Sequence, residues 1–208
     1  MTYGRSVLLF VALAAAAGTA QAGGAGLRIG TTGIGGDLGW DIAPTLGGRV
    51  GLSAGSYSTD VKTSDVNYDA KLKLGNLNAF LDWSPFGPFR ISAGVIANNN
   101  KVDVSGQANA DSRVMVSGTV KPEHKVAPYL GIGYGNVWTK GVNFYFDLGV
   151  MFQGSPTASL SVNCGSATGT AACTQAQAQT AAEEQRLEDK LKNFKYFPVA
   201  NIGITIGF

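Results

Sequence analysis

The stretch VNFYFDLGVMFQ at 142–153 alternates without a slip. Val142, Phe144, Phe146, Leu148, Val150 and Phe152 interleave with Asn143, Tyr145, Asp147, Gly149, Met151 and Gln153. A period of two places the two sets on opposite faces of a β-strand. The same pattern recurs at 46–55, 89–95 and 129–135, and it closes the chain, where Ile202, Ile204, Ile206 and Phe208 alternate with Asn201, Gly203, Thr205 and Gly207. One face of each ribbon is continuously apolar, while the other carries glycine, arginine, aspartate and tyrosine. A soluble β-sandwich, the competing architecture, would show a Lys, Glu and Thr surface instead. Only 14% of the 208 residues are charged, against roughly 25% in soluble domains. Lipid offers backbone groups no partner, so a β protein that presents its apolar faces to lipid must close into a barrel.

The connections between these ribbons sort by length. Short turns fall at 43–45 (APT), 85–88 (PFGP) and 139–141 (TKG), and long connections fall near 58–64, 106–111 and 164–193. Bacterial barrels have short periplasmic turns, long extracellular loops and an even number of strands. Counting back from Phe208 gives strands near 194–208, 142–163, 112–138, 89–105, 65–84, 45–58 and 34–42, with GLRIGTT at 26–32 as the eighth. The sequence therefore predicts an all-β, eight-stranded antiparallel transmembrane β-barrel with long extracellular loops, with ten strands as the competing count. Trp40, Trp83 and Trp138 each precede a short turn, and Phe86, Phe89 and Phe144 join them as an expected periplasmic-side interface girdle. The 65–84 strand changes apolar phase, from Tyr68, Ala70, Leu72 and Leu74 to Leu77, Ala79, Leu81 and Trp83. A bulge near Gly75 and Asn76 is the expected cause. Residues 101–122 read as an extracellular hairpin kinked by Pro122.

The first 22 residues read as a cleaved export signal: Arg5, an apolar run over 7–17 and Ala20-Gln21-Ala22 before the cut. The mature domain is then 23–208. Cys164 and Cys173 are the only cysteines, and an exported chain favours a disulfide between them. Two thiolates with one distant histidine do not close a zinc shell, so neither metal nor cofactor is expected. A formal charge of +2 gives no field for nucleic acid. The segment at about 174–193 is the one helical piece, a loop helix in which Leu187, Leu191 and Phe194 form a thin apolar edge. It is expected to rest on the barrel rim, a partner-binding role being the other reading.

Together, YDAKLKLGNLNAFLDWSPF, FRISAGVIANNNKVDV, APYLGIGYGN and FYFDLGVMFQGSP resemble small Gram-negative outer-membrane β-barrels of the OmpA/OmpX-like transmembrane type, and more specifically uncharacterised proteobacterial outer-membrane proteins. The resemblance implies residence in the cell outer membrane and contact with its lipid and lipopolysaccharide. It also implies assembly by the barrel insertion machinery, for which Ile202, Ile204, Ile206 and Phe208 would be the signal, with Ile206 standing where an aromatic is usual. It carries no activity.

Outer-membrane barrel enzymes resemble one another in needing a histidine beside Ser or Asp. This chain has one, His124, near Glu123 and Ser117. Nothing in the spacing builds a triad, and no catalysis is expected. GTTGIGG at 30–36 lacks the lysine and the strand–helix context of a phosphate loop. Alternation points Arg28, Asp37, Asp41, Arg49, Asp82, Arg90 and Asp147 into the lumen, where both signs can pair. An eight-strand interior is about filled by its side chains. The expected role is structural, or interaction with an extracellular ligand through loops 58–64, 100–124 and 164–193. One alternative is a narrow channel for small or hydrophobic solutes, using space left by Gly131, Gly133 and Gly149. A weaker one is a lipid-acting enzyme using His124.

Overall fold

A computed structural model describes residues 23–62, 67–107 and 114–208. The proposed export signal lies outside the described residues, as do parts of the connections near 58–64 and 106–111. The strands are β1 (Gly23–Gly30), β2 (Gly33–Ala43), β3 (Leu46–Lys62), β4 (Asn67–Phe86), β5 (Phe89–Asn98), β6 (Lys101–Gln107), β7 (Met115–Lys121), β8 (Val126–Tyr134), β9 (Gly141–Phe152), β10 (Thr157–Asn163) and β11 (Tyr196–Gly207). One helix, α1 (Ala171–Leu191), lies between β10 and β11.

Eight of these strands form a closed antiparallel ring. β1 to β5 pair in sequence, β5 pairs with β8, β8 with β9 and β9 with β11. The last strand, β11, returns to β1 with Leu27 opposite Ile204. Closure satisfies the backbone around the ring and leaves no sheet edge at barrel level. The seam is finished at the chain end, where Phe208 and Gly23 exchange backbone bonds of 2.8 and 3.1 Å. Leu27, Ile34, Val142, Phe144 and Ile202 are at least 60% exposed on the outer wall. A water-soluble barrel would not leave such a continuous apolar exterior.

The other three strands continue the wall upward on one side. β6 prolongs β5, and β4 keeps one register across the junction, from Asn76 opposite Asn98 to Lys73 opposite Lys101. β7 and β10 follow, giving an extension in the order β3–β4–β6–β7–β10. The phase change in β4 is therefore not a bulge: its pairing with β3 runs unbroken from Trp83 to Asn67. The surroundings change instead. Below Gly75 the outward face meets the apolar exterior and the inward face is polar. Above it the outward face carries Lys71 and Lys73, while Leu72 and Leu74 turn to the half-buried inner face.

α1 lies along β10, the outer edge of the extension. Its half-buried stripe runs through Cys173, Ala176, Thr180, Leu187 and Leu191, whereas Phe194, expected to extend it, is 61% exposed. The Glu184 carboxylate accepts from the Leu160 N–H of β10 at 3.1 Å, capping one edge donor. The Cys164–Cys173 disulfide, with Cα atoms 5.7 Å apart, ties the start of α1 to the end of β10. It packs with Val114 and Ala167 in a small core separate from the barrel's.

Candidate functional site: the barrel lumen and its closures

Three arginines and three aspartates meet at mid-barrel. Arg49 on β3 donates from Nε to Asp82 Oδ2 on β4 at 2.8 Å. Its Nη1 and Nη2 reach Asp147 on β9 at 2.8 and 3.1 Å. Arg90 on β5 donates to Asp147 Oδ1 at 2.5 Å, and also to the Gly135 carbonyl. Arg28 on β1 lies 3.5 Å from Asp37 on β2. Asn78 on β4 bridges them, accepting from Arg28 at 2.5 Å and donating to Asp37 at 3.2 Å. Tyr145 Oη donates to the other oxygen of Asp37 at 2.5 Å, and Ser92 donates to Asp82 at the same distance. Three positive and three negative side chains balance, and each of the six is at most 4% exposed. Asp41, the seventh of the inward charges, sits four residues further along β2, half-buried toward the barrel's end.

Aromatic rings cover this cluster. The Arg49 guanidinium carbon lies 5.0 Å from the Phe80 ring centroid and 5.8 Å from that of Tyr145. Phe80 stacks on Tyr129 with centroids 4.5 Å apart. They belong to an apolar plug with Ile96, Ala127, Met151 and Val199. The signal for this plug was present in the sequence: Phe80, Ile96 and Val199 occupy inward positions of their strands, but inward apolar residues were overshadowed by the charges.

The glycines offered as interior space are filled from within. A Cβ on Gly131 or Gly149 would lie 2.3 or 2.5 Å from Tyr129 Oη, and one on Gly133 would lie 2.7 Å from an Arg90 nitrogen. These positions are small because large partners occupy the space above them. At the end of the barrel that carries the extension the β1–β2 turn folds inward, with Thr32 buried and donating to Asn201 at 2.9 Å. Gly33, at φ +99°, supplies the backbone conformation that this tight turn needs.

The opposite end is closed by the connection between β8 and β9. That connection spans 135–140 and is not the tight turn expected at 139–141. Val137 is fully buried, and a Cβ on Gly39 would lie 2.8 Å from it. The Trp138 ring lies over Gly47 on the lumen face of β3, so close that a Cβ there would sit 2.2 Å from it. Trp138 is therefore a plug residue and not part of an interface girdle: Gly39 and Gly47 leave a recess that the indole fills. Trp83 is 49% exposed on the outer wall, and Trp40 lies outside over Gly48. The outer wall near the same end also exposes Phe86, Phe89 and Phe144.

The candidate triad is not assembled. His124 is exposed and joins Gln153 through its backbone N–H at 3.0 Å. The Glu123 carboxylate accepts from the Ser155 N–H at 2.8 Å, and the Ser117 hydroxyl pairs with that of Ser161 at 2.8 Å. The carboxylate and the hydroxyl that a triad would need are thus engaged with Ser155 and Ser161 and not with His124.

No protein-family model matches this chain, and no curated protein sequence matches it. Solved structures that share its architecture include two from one organism. One is Acinetobacter baumannii CarO2, 21% identical, with a TM-score of 0.63 over 90% of this chain and 98% of that one. The other is Acinetobacter baumannii CarO, also 21% identical, with a TM-score of 0.62 over 89% and 97%. At that identity the likeness shows the fold, a complete barrel matched nearly end to end.

Proposed function

We propose that this chain is a sealed outer-membrane barrel of the OmpA/OmpX-like transmembrane type. In this reading it contributes to envelope integrity or presents an extracellular surface, and it neither conducts solutes nor catalyses a reaction. Its export would use residues 1–22, and its insertion would use the alternate apolar positions ending at Phe208. The apolar exterior of the ring supports the membrane setting.

The observation that carries the sealed reading is the occupied cross-section. Arg49, Asp82 and Arg90 have no exposed side-chain surface at mid-barrel, with a stacked aromatic layer on one side and Val137 with Trp138 on the other. A conducting lumen would need a hydrated path past these levels, and buried, mutually paired charges resist the rearrangement that would open one. Planar-bilayer recording of the refolded mature chain tests the reading. It predicts no reproducible unitary steps; stable, ion-selective steps from the purified barrel would favour the narrow channel.

A further inference from the structure

On the outward face of the extension three lysines stand side by side. Lys73 on β4 is in register with Lys101 on β6. Continuing the β6–β7 register by one pair brings Lys101 beside Lys121, at the end of β7. Neighbouring strands are about 4.8 Å apart, so this row packs like charges laterally, which destabilises a sheet unless something neutralises them. Among the described residues one carboxylate serves the row: Asp103 lies 2.8 Å from Lys73 and 3.7 Å from Lys101. Lys71, two positions above Lys73 on the same face, adds a fourth cation, with Asp69 at the patch's upper edge. Lys73 and Lys101 remain 42% and 39% exposed.

The height of the row is as informative as its charge. Along β5 the outward positions are Phe89, Ile91, Ala93, Val95 and Ala97, followed by Asn99 and then Lys101. Twelve residues separate Phe89 from Lys101, about 40 Å along a strand and about 30 Å along the barrel axis at a usual tilt. That matches the thickness of a bilayer's hydrocarbon core, about 30 Å. With Phe89 at one interface, the lysines stand at the headgroup level of the other, where their stems can lie on apolar wall and their ammoniums meet anions.

We infer that Lys73, Lys101 and Lys121, with Lys71 above them, form a binding row for the phosphorylated sugar headgroup of lipopolysaccharide in the outer leaflet. The inference rests on the outer-membrane reading and names the partner of that outer wall. Lipid-borne phosphate is held at the right height by its own acyl chains. Free phosphate lacks that placement.

The test is native mass spectrometry of the detergent-solubilised mature chain, titrated with bisphosphorylated lipid A and with its dephosphorylated form. The expected result is one saturable bisphosphorylated lipid per chain. Affinity should fall roughly a hundredfold in a Lys73→Gln/Lys101→Gln/Lys121→Gln variant, on the scale that three basic side chains supply at an anionic surface. The corresponding triple arginine variant should retain binding, as should Lys190→Gln/Lys192→Gln at the C-terminal end of α1. Excess inorganic phosphate should not displace the lipid. Equal binding of the dephosphorylated lipid, an undiminished glutamine variant, or displacement by inorganic phosphate would each overturn the inference. A heat-dependent gel shift checks that every variant holds the folded barrel. A barrel that needs detergent but has no lysine-dependent lipid affinity sinks this inference alone. A chain folded without detergent sinks the membrane reading beneath it.

Discussion

Arg49 and Asp147 join opposite walls of the barrel. β3 and β9 are four steps apart in either direction around the eight-strand ring. The guanidinium nevertheless meets both oxygens of the carboxylate, at 2.8 and 3.1 Å. The same guanidinium holds Asp82 on the neighbouring strand, so one side chain braces three strands across the lumen.

Removing that brace leaves carboxylates buried without their cation. Arg49→Ala should lower stability by about 3–5 kcal/mol, the range for breaking a buried ion pair from one side. Arg90→Ala should also destabilise, through Asp147. The midpoint of urea unfolding from lipid vesicles reads the loss, and conductance should stay at background because Phe80, Tyr129 and Trp138 still fill the lumen.

Two lumen tyrosines should respond differently to loss of the hydroxyl. Tyr145 donates to Asp37 at 2.5 Å, and Tyr145→Phe should cost about 1.5–3 kcal/mol, as for hydrogen bonds to charged groups. The Tyr129 hydroxyl is buried with no hydrogen-bond partner among the described residues. Tyr129→Phe should therefore leave stability unchanged or raise it. Parallel unfolding curves of the two variants make the comparison.

Acid should loosen the extension before the ring. The Lys73 hydrogen bond, followed by those of Thr119 and the Lys101 charge, holds the Asp103 carboxyl below its ordinary value. A carboxyl depressed on folding stabilises the fold above its unfolded pKa, and that contribution is lost as pH falls through the folded pKa. Amide exchange at Val102 and Val104 should accelerate as pH is lowered through the acidic end of the carboxylate range, after correction for intrinsic exchange. Asp103→Asn should remove the dependence.

Phe208 completes the ring seam through its backbone and is 75% exposed. If it also belongs to an assembly signal, deleting it should reduce the heat-resistant folded fraction recovered from outer membranes. A Phe208→Ala variant keeps the Gly23 backbone bonds and isolates the ring's part. Wild-type recovery of both variants would refute the signal role.

Alternation by two was enough to read the ring, because each barrel strand has one face toward an apolar exterior and one toward a small interior. It assigns Arg49, Asp82 and Asp147 to inward faces, yet carries nothing about which meets which. That depends on closure and stagger, which bring β3 and β9 together across a lumen 98 residues apart in sequence. Where the surroundings change along one strand, alternation misleads: β4 shifts its apolar residues from one face to the other at Gly75 with its register intact. Trp138 was illegible for another reason. It lies in a connection without periodicity, and its recess is made by Gly39 and Gly47 on distant strands.

If lipid covers the ring's apolar exterior while its own side chains fill the lumen, the folded ring should depend on an amphiphile. Solution NMR of residues 23–208, refolded in parallel with and without detergent, reads that dependence. A dispersed barrel spectrum is expected only when detergent is present. A monodisperse, fully dispersed spectrum in plain buffer would contradict it.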